Sequence, residues 1–377
     1  MIILQVIFFF LLVAYLFYVS YFIAGWTKTN VYHPQFQFVR YPTVTIIVPV
    51  RNEEEHIEKL LKDIRTQSYP SEYIQVFIID DDSTDQTVSI INKLNDQNVR
   101  VIPLKIEEEI YAYKKRAITL GLENASSELI ITTDGDCRMG ENWVASIVDY
   151  YLNNDVKLIL APVTYYKEKQ WFEKIQTVEF QFLIGAAAAC LKNGMPNTCN
   201  GANMAYTREL FYDIGGYDGI DIIAGGDDEM LLHKIFKKYP RHVGFLKSRQ
   251  ALVSTYAKST LWEFVQQRKR WASNSSVLFN YQSSFMVIMI FLFNLSLVLS
   301  LPLTLFFTEF QRYLIIAVPL KVLFDTIFII QTLVFFKRIS LLPYIILVEF
   351  FYSFYLVYVG LMGNFSATYI WKGRRVK

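Results

Sequence analysis

The amino-acid sequence predicts an α/β domain, built on a mostly parallel, Rossmann-like sheet, with flanking transmembrane α-helices. Three observations carry that prediction. No Asp, Glu, Lys or Arg precedes Lys28, further long apolar stretches close the chain, and the region between them alternates short β-rich runs with helical patterns. Alternation of this kind belongs to parallel strands joined by crossover helices.

The opening run, "MIILQVIFFFLLVAYLFYVSYFIAGW", can cover a hydrocarbon core of ~30 Å. A cleaved secretory leader needs a basic start and a shorter apolar run. Residues 1–27 are therefore expected to be an uncleaved anchor. Lys28 and Arg40 follow it and nothing positive precedes it, which predicts a cytoplasmic face for the central region and places the chain in the cytoplasmic (inner) membrane.

Residues 28–284 are expected to form one cytosolic domain. "TVTIIVPV", "QVFIID" and "ELIITTDGD" read as strands, with helices over Glu53–Gln67, Thr84–Asn95 and Tyr113–Glu123 between them. Each strand runs into polar residues: "RNEEE", "DDDSTD" and "DGDC". Ligands of such sheets bind beyond the carboxyl ends of the strands. Further on, "WFEKIQTVEFQFLIGAAAACLKN" is helical in pattern but too polar at Glu173, Lys174 and Glu179 to span. A helix on the membrane surface and an ordinary core helix both fit it. "QQRKRW" closes the domain as an interfacial helix, with Arg268 and Lys269 available to lipid headgroups.

Three spans are expected after it, at 285–307, 313–336 and 341–362. The middle one carries Lys321 and Asp325, each costly in lipid yet spaced i, i+4 on one helix face where they can pair. It reads either as a crossing or as a re-entrant helix. With Glu349, these ionisable groups read as a structural ion pair or as the lining of a lipid or glycan route. The basic tail, 363–377, contains "WKGRRVK" and asks for the cytoplasm, whereas one span followed by three would leave it outside. The sequence leaves that conflict open.

Composition removes several function classes. A net charge of +2 over 377 residues leaves no nucleic-acid footprint. Cys137, Cys190 and Cys199 show no paired metal spacing, so a zinc site is not expected. No glycine-rich fingerprint follows the first strand, and no phosphate loop ends in Gly-Lys-Ser/Thr. A nucleotide bound here would be held by acids and a metal.

The acids come next. Asp80, Asp81 and Asp82 end one strand, with Asp85 close behind. Carboxylates this crowded repel unless a cation or hydrogen-bond donors meet them. Asp85 with Ser83 also suits the cap of the following helix and stays outside the site. Asp134 and Asp136 flank Gly135, and carboxylates at i and i+2 on an extended segment point the same way. That pair suits Mg²⁺ or Mn²⁺, which take oxygen ligands and keep open positions. An Asp-rich turn holding its own backbone is the plainer alternative.

Seven pieces then occur in one order: "IIVPVRNEE", "IIDDDSTD", "KKRAITLGL", "TTDGDC", "NGANMAY", "GGDDEM" and "QQRKRW". From Thr45 to Trp271 the chain resembles membrane-bound family 2 glycosyltransferases of the GT-A fold, the group holding cellulose, chitin and hyaluronan synthases and ceramide glucosyltransferase. The resemblance implies roles. Asp81 would meet the uracil ring, with Glu53 and Asp80 at the nucleoside, and Lys114 would meet the donor diphosphate. Asp134 and Asp136 would bind the divalent cation, Asp136 more directly. Asp228 would be the catalytic base, and Gln267, Arg270 and Trp271 form the Gln-x-x-Arg-Trp signature. Two positions depart from the common pattern: Asp82 stands where many relatives have glycine, and Asp227 replaces a frequent glutamate.

The implied activity is inverting, metal-dependent transfer of a hexosyl unit from a UDP-sugar donor to a glycan or lipid acceptor at the bilayer. β-Linked polysaccharide synthesis, aided by a homo-oligomer or an export partner, stands beside single-sugar transfer to a lipid. A non-catalytic GT-A-like membrane subunit is the remaining alternative.

Overall fold

The computed structural model describes residues 2–104, 112–223, 225–274, 281–365, 369–371 and 374–376. In chain order its elements are α1 (Ile2–Lys28), β1 (Val44–Val50), α2 (Ile57–Arg65), β2 (Ile74–Asp80), α3 (Thr87–Leu94), β3 (Val99–Pro103), α4 (Tyr113–Asn124) and β4 (Leu129–Thr132). There follow β5 (Arg138–Met139), α5 (Trp143–Asn153), β6 (Leu158–Leu160), β7 (Val163–Tyr165), α6 (Trp171–Lys192), β8 (Met204–Thr207), α7 (Arg208–Asp213) and α8 (Asp227–Lys238). The chain closes with β9 (Val243–Phe245), β10 (Val253–Thr255), α9 (Leu261–Asn274), α10 (Tyr281–Leu303), α11 (Thr308–Phe335), α12 (Ile345–Phe365), β11 (Tyr369–Trp371) and β12 (Arg374–Val376). Two compact units result. An α/β unit takes Asn30–Lys167, Thr198–Tyr256 and Thr368–Lys377, and a helical unit takes Met1–Thr29, Glu168–Asn197 and Ala257–Ala367.

The main sheet of the α/β unit runs β3-β2-β1-β4-β8-β6-β9. Its first four strands are mutually parallel, β8 is antiparallel to both β4 and β6, and β9 is parallel to β6. Ile46, Ile47, Val48, Ile78, Ile79, Ile130 and Ile131 are fully buried. Strands covered on both faces need apolar residues at every position, which is why these three read as unbroken hydrophobic runs. The register sets Val50 beside Asp80 and Ile47 beside Thr132, so β1, β2 and β4 finish along one edge.

The reversal at β8 brings a fourth segment to that edge. Met204 lies opposite Thr132, and the Thr132 hydroxyl donates to the Gly201 carbonyl at 2.9 Å. Asn203, at the start of β8, ties in the small β5-β10-β7 sheet. Its amide donates to the carbonyls of Pro162 and Ala251, both at 2.8 Å, and its oxygen accepts from the Trp143 indole at 2.9 Å.

Among the described residues, the helical unit holds four helices long and apolar enough to cross a membrane: Ile3–Lys28, Gln282–Leu303, Thr308–Phe335 and Ile339–Met362. These match the four expected stretches and, by length and composition, suit association with a membrane. In the third, Lys321 pairs with Asp325 at 2.8 Å and with Glu349 at 2.5 Å. The Tyr15 hydroxyl donates to the same aspartate at 2.7 Å.

α6 and α9 belong to this helical unit, unlike the continuous 28–284 domain expected. The reason is local chemistry. Val178 of α6 is buried with Ile329, Leu333, Leu341, Ile345 and Val348. Gly185 lets α11 approach closely: a Cβ there would meet Thr332 Cγ2 at 2.5 Å. β11 and β12 pair antiparallel within the tail. Lys372, Gly373 and Lys377 of that tail lie outside the described residues.

Candidate active site

Every acid expected in the nucleotide-sugar site sits at the carboxyl edge of the main sheet or on a segment that reaches it. β2 delivers Asp80 and Asp81, both buried, whereas the Asp82 side chain is 66% exposed. Asp82 has φ of 56°, in the left-handed region where glycine is at ease and aspartate is among the few tolerated alternatives. That backbone explains the glycine of the common pattern. Arg51, just beyond β1, holds the turn by donating to the carbonyls of Asp81 at 2.5 Å and Asp82 at 2.8 Å. The cap position of α3 is Gln86 rather than Asp85, but Asp85 lies beside it and accepts from the Thr87 amide at 2.9 Å and the Glu54 amide at 3.1 Å.

Glu53 meets the Asp134–Asp136 loop directly. A Cβ on Gly135 would come within 2.8 Å of Glu53 Cγ, so only glycine lets the two segments touch. Ligand atoms of Asp134, Asp136 and Cys137 all lie within 4.8 Å of one another. Asp136 also accepts from the Thr255 hydroxyl of β10 at 3.1 Å.

Lys114 of α4 links this loop to the next motif. Its ammonium lies 2.8 Å from Asp134 Oδ1 and 3.5 Å from Asp227 Oδ2. Burial opposes that charge, but Asp134, Asp227 and Asp228 together outweigh it and hold the lysine above its ordinary value.

Asp228 stands in the first turn of α8, behind Gly226 in the left-handed conformation. The Gly201 amide donates to its Oδ2 at 2.7 Å and the Glu229 amide to its Oδ1 at 2.8 Å. Burial first, and Asp227 second, push its carboxyl up to about 6 against those two bonds and Lys114. A carboxylate raised this way and flanked by a cation is poised to take a proton near neutral pH.

Residues 45–215 match the family model described as Glycosyl transferase family 2. The chain carries a family 2 glycosyltransferase domain. Glycosyltransferase AglE of Haloferax volcanii is 27% identical over 197 residues, 49% of this chain and 59% of that protein. The dolichyl N-acetyl-α-D-glucosaminyl phosphate 3-β-D-2,3-diacetamido-2,3-dideoxy-β-D-glucuronosyltransferase of Methanococcus voltae is 24% identical over 248 residues, 59% of this chain and 70% of that one. Poly-β-1,6-N-acetyl-D-glucosamine synthase of Staphylococcus aureus is 23% identical over 239 residues, 61% and 53%. This chain thus spans little more than half the length of two of these relatives. The solved mannosyltransferase PcManGT of Pyrobaculum calidifontis, in complex with GDP-Man and Mn²⁺, superposes with a TM-score of 0.58 at 18% identity, covering 96% of this chain and 98% of that one. The fold is GT-A.

The Gln-x-x-Arg-Trp motif on α9 lies in the helical unit, whereas Glu53, Asp80, Asp81, Lys114, Asp134, Asp136 and Asp228 lie in the α/β unit. Trp271 packs on Phe180 with ring centroids 5.9 Å apart. Arg268, expected to face lipid headgroups, does not. It is buried in an ion pair with Glu179, with its guanidinium 4.1 Å from the Trp271 ring centroid and 4.5 Å from that of Phe264. It also donates to Gln267 Oε1 at 2.8 Å. The neighbour of a signature residue is thus its brace, and Glu179 enters the interior because it has this partner.

Residue-by-residue reading of the sequence missed Arg51, Gly201 and Thr255. Gly201 fell inside the matched piece "NGANMAY", yet a backbone donor leaves no side chain to read. Thr255 is an ordinary strand residue by type, so only tertiary structure brings it to Asp136.

Proposed function

We propose that this glycosyltransferase moves a hexosyl unit from a UDP-sugar to a membrane-associated acceptor in one inverting displacement, with Asp228 as the base. The observation that carries the reading is the Lys114 bridge, where one ammonium serves both Asp134 of the expected metal pair and Asp227 beside the base. In this reading Asp80, Asp81 and Glu53 receive the nucleoside and Lys114 receives the diphosphate. Asp134 and Asp136 would hold Mg²⁺ or Mn²⁺, and two hard carboxylates that close fit such an ion. When bound, the ion offsets charge on the diphosphate oxygens.

The acceptor oxygen bonds to the anomeric carbon as that carbon's bond to the diphosphate oxygen breaks. The electron pair leaves with UDP, and the hydroxyl proton passes to Asp228. Both Asp228 oxygens keep a lone pair beside their backbone bonds, so the base can accept without giving up its hold. One displacement turns an α-linked donor into a β-linked product. Gln267, Arg270 and Trp271 remain assigned by motif alone.

A lipid-borne acceptor is the better supported class. Inside the helical unit Tyr15 stacks on Phe293 at 4.2 Å, Ser353 donates to Asn294 at 2.7 Å, and Lys321, Asp325 and Glu349 satisfy one another. Helices packed in this way favour single transfer over a polymer threaded between them. Polysaccharide synthesis is the second reading, favoured by the Gln-x-x-Arg-Trp signature and by the poly-β-1,6-N-acetyl-D-glucosamine synthase relative. It would need a second copy or an export partner for the path. The catalytic unit faces the cytoplasm, where Lys28 and Arg40 would hold it.

The test is a screen of labelled UDP-sugars on purified protein with Mg²⁺ or Mn²⁺ and membrane lipid. One lipid-extractable product of single size is expected. A ladder of lengths would replace the lipid reading with the polymer, and transfer from GDP-sugars alone would overturn the donor.

A further inference from the structure

We infer that Lys115 is a positioning residue, whose buried ammonium fixes the loop that delivers Asp228 to the edge of the sheet. The inference rests on Asp228 being the base, and concerns how that base is held. α4 carries two consecutive lysines with different tasks. Lys114 meets the acids, while Lys115 turns inward and is 2% exposed. Its Nζ donates to the Ile220 carbonyl at 2.7 Å, the Ile223 carbonyl at 2.9 Å and Met230 Sδ at 3.2 Å. An ammonium has three donors, and here each has a partner, two on the loop and one on α8.

The loop between α7 and α8 needs such a hold. Gly215, Gly216, Gly219 and Gly226 adopt φ of 69°, 46°, 79° and 66°. Glycines gain these conformations freely but lose the most entropy when fixed in one of them. A second lysine, Lys234 of α8, donates to the carbonyls of Gly216 at 2.7 Å and Asp218 at 3.0 Å, with Gly215 at 3.4 Å. Five loop carbonyls therefore converge on two ammonium groups.

Lys115 holds the end nearer the catalytic pair. Its anchors at Ile220 and Ile223 precede Gly226, and its anchor at Met230 follows Asp228 by two residues. The start of α8 is thus gripped from both sides by one side chain on the helix that also presents Lys114. Burial draws Lys115 down to about 8, while Asp227, Asp228 and Asp221 pull it back up, so its charge lies within the field of the acids it serves. Without the ammonium, the start of α8 loses the hold that presents Asp228 to the Gly201 amide and Asp227 to Lys114.

The experiment compares wild type, Asp228→Asn, Lys115→Met and Lys115→Arg for UDP binding, kcat, donor KM and the pH profile of kcat. Lys115→Met is expected to keep UDP affinity and donor KM within about threefold. Its kcat should fall about 10- to 100-fold, the scale of a misplaced catalytic group. The acid limb of its profile should be displaced from that of the wild type, because Asp228 loses both a nearby cation and its fixed burial. A kcat and acid limb both unchanged would overturn the inference. Should Lys115→Met lose UDP binding, Lys115→Arg decides. Binding and kcat restored together would make Lys115 a folding residue and overturn the inference, whereas binding restored with low kcat and a moved acid limb would uphold it. Wild-type turnover in Asp228→Asn would instead sink the base assignment itself.

Discussion

Two lysines surrounded by acids sit in this molecule, and they do opposite things. Lys114, in the α/β unit, and its partner Asp134 have side chains 26% and 36% exposed, and one ammonium is stretched between two carboxylates. Lys321, in the helical unit, and its partners Asp325 and Glu349 are 3%, 3% and 6% exposed, with Tyr15 adding a hydroxyl to Asp325. The first network faces water with acids to spare, so an incoming cation or phosphate can reorganise it cheaply. The second is sealed and complete, and any ligand would have to break it. One lysine between two carboxylates thus makes a site in one place and a fastener in the other, and exposure separates them.

The comparison can be broken in several ways. The largest effect should come from Asp136→Ala, which removes a ligand of the expected metal and should lower turnover on the order of 10³-fold. Near-normal turnover, insensitive to chelator, would return the Asp-Gly-Asp loop to a plain turn. Lys321→Leu should instead destabilise the fold by about 3–5 kcal/mol, the cost of leaving buried carboxylates without their cation. Its kcat per folded molecule should not change. An unaltered thermal midpoint with lost activity would revive the notion of a lipid or glycan route through those residues.

Lys114→Met should show the reverse pattern: little change in thermal midpoint, and UDP binding weakened about 10- to 100-fold through loss of charge-assisted contacts. The mildest prediction concerns pH. Asp228 must be unprotonated to act and is raised to about 6, so kcat should fall as the pH drops through that value. A profile flat to pH 4 would remove the burial argument.

Much of the site was legible because its strands announce themselves. β1, β2 and β4 are buried on both faces, read as apolar runs, and end abruptly in acids. β6, β7, β9 and β10 are three-residue strands, too short for any period to register. α6 stayed open in the sequence for a different reason. Glu173, Lys174 and Glu179 ruled out a span but fitted a surface helix and a core helix alike, because charge on a helix reports exposure only when no partner waits inside. Arg268 and Glu179 hid each other by pairing. The same logic hid Lys115, whose three acceptors come from a loop carbonyl pair and a thioether that no sequence spacing connects to α4.

The measurement that bears most directly on the account is the rate of labelled-hexose transfer by Asp228→Asn, taken on a sample whose UDP affinity is measured in parallel. Retained UDP affinity with turnover reduced at least about 10³-fold is the predicted result, within the range that general bases contribute. Turnover near wild type would contradict it, and the proton would have to be taken elsewhere.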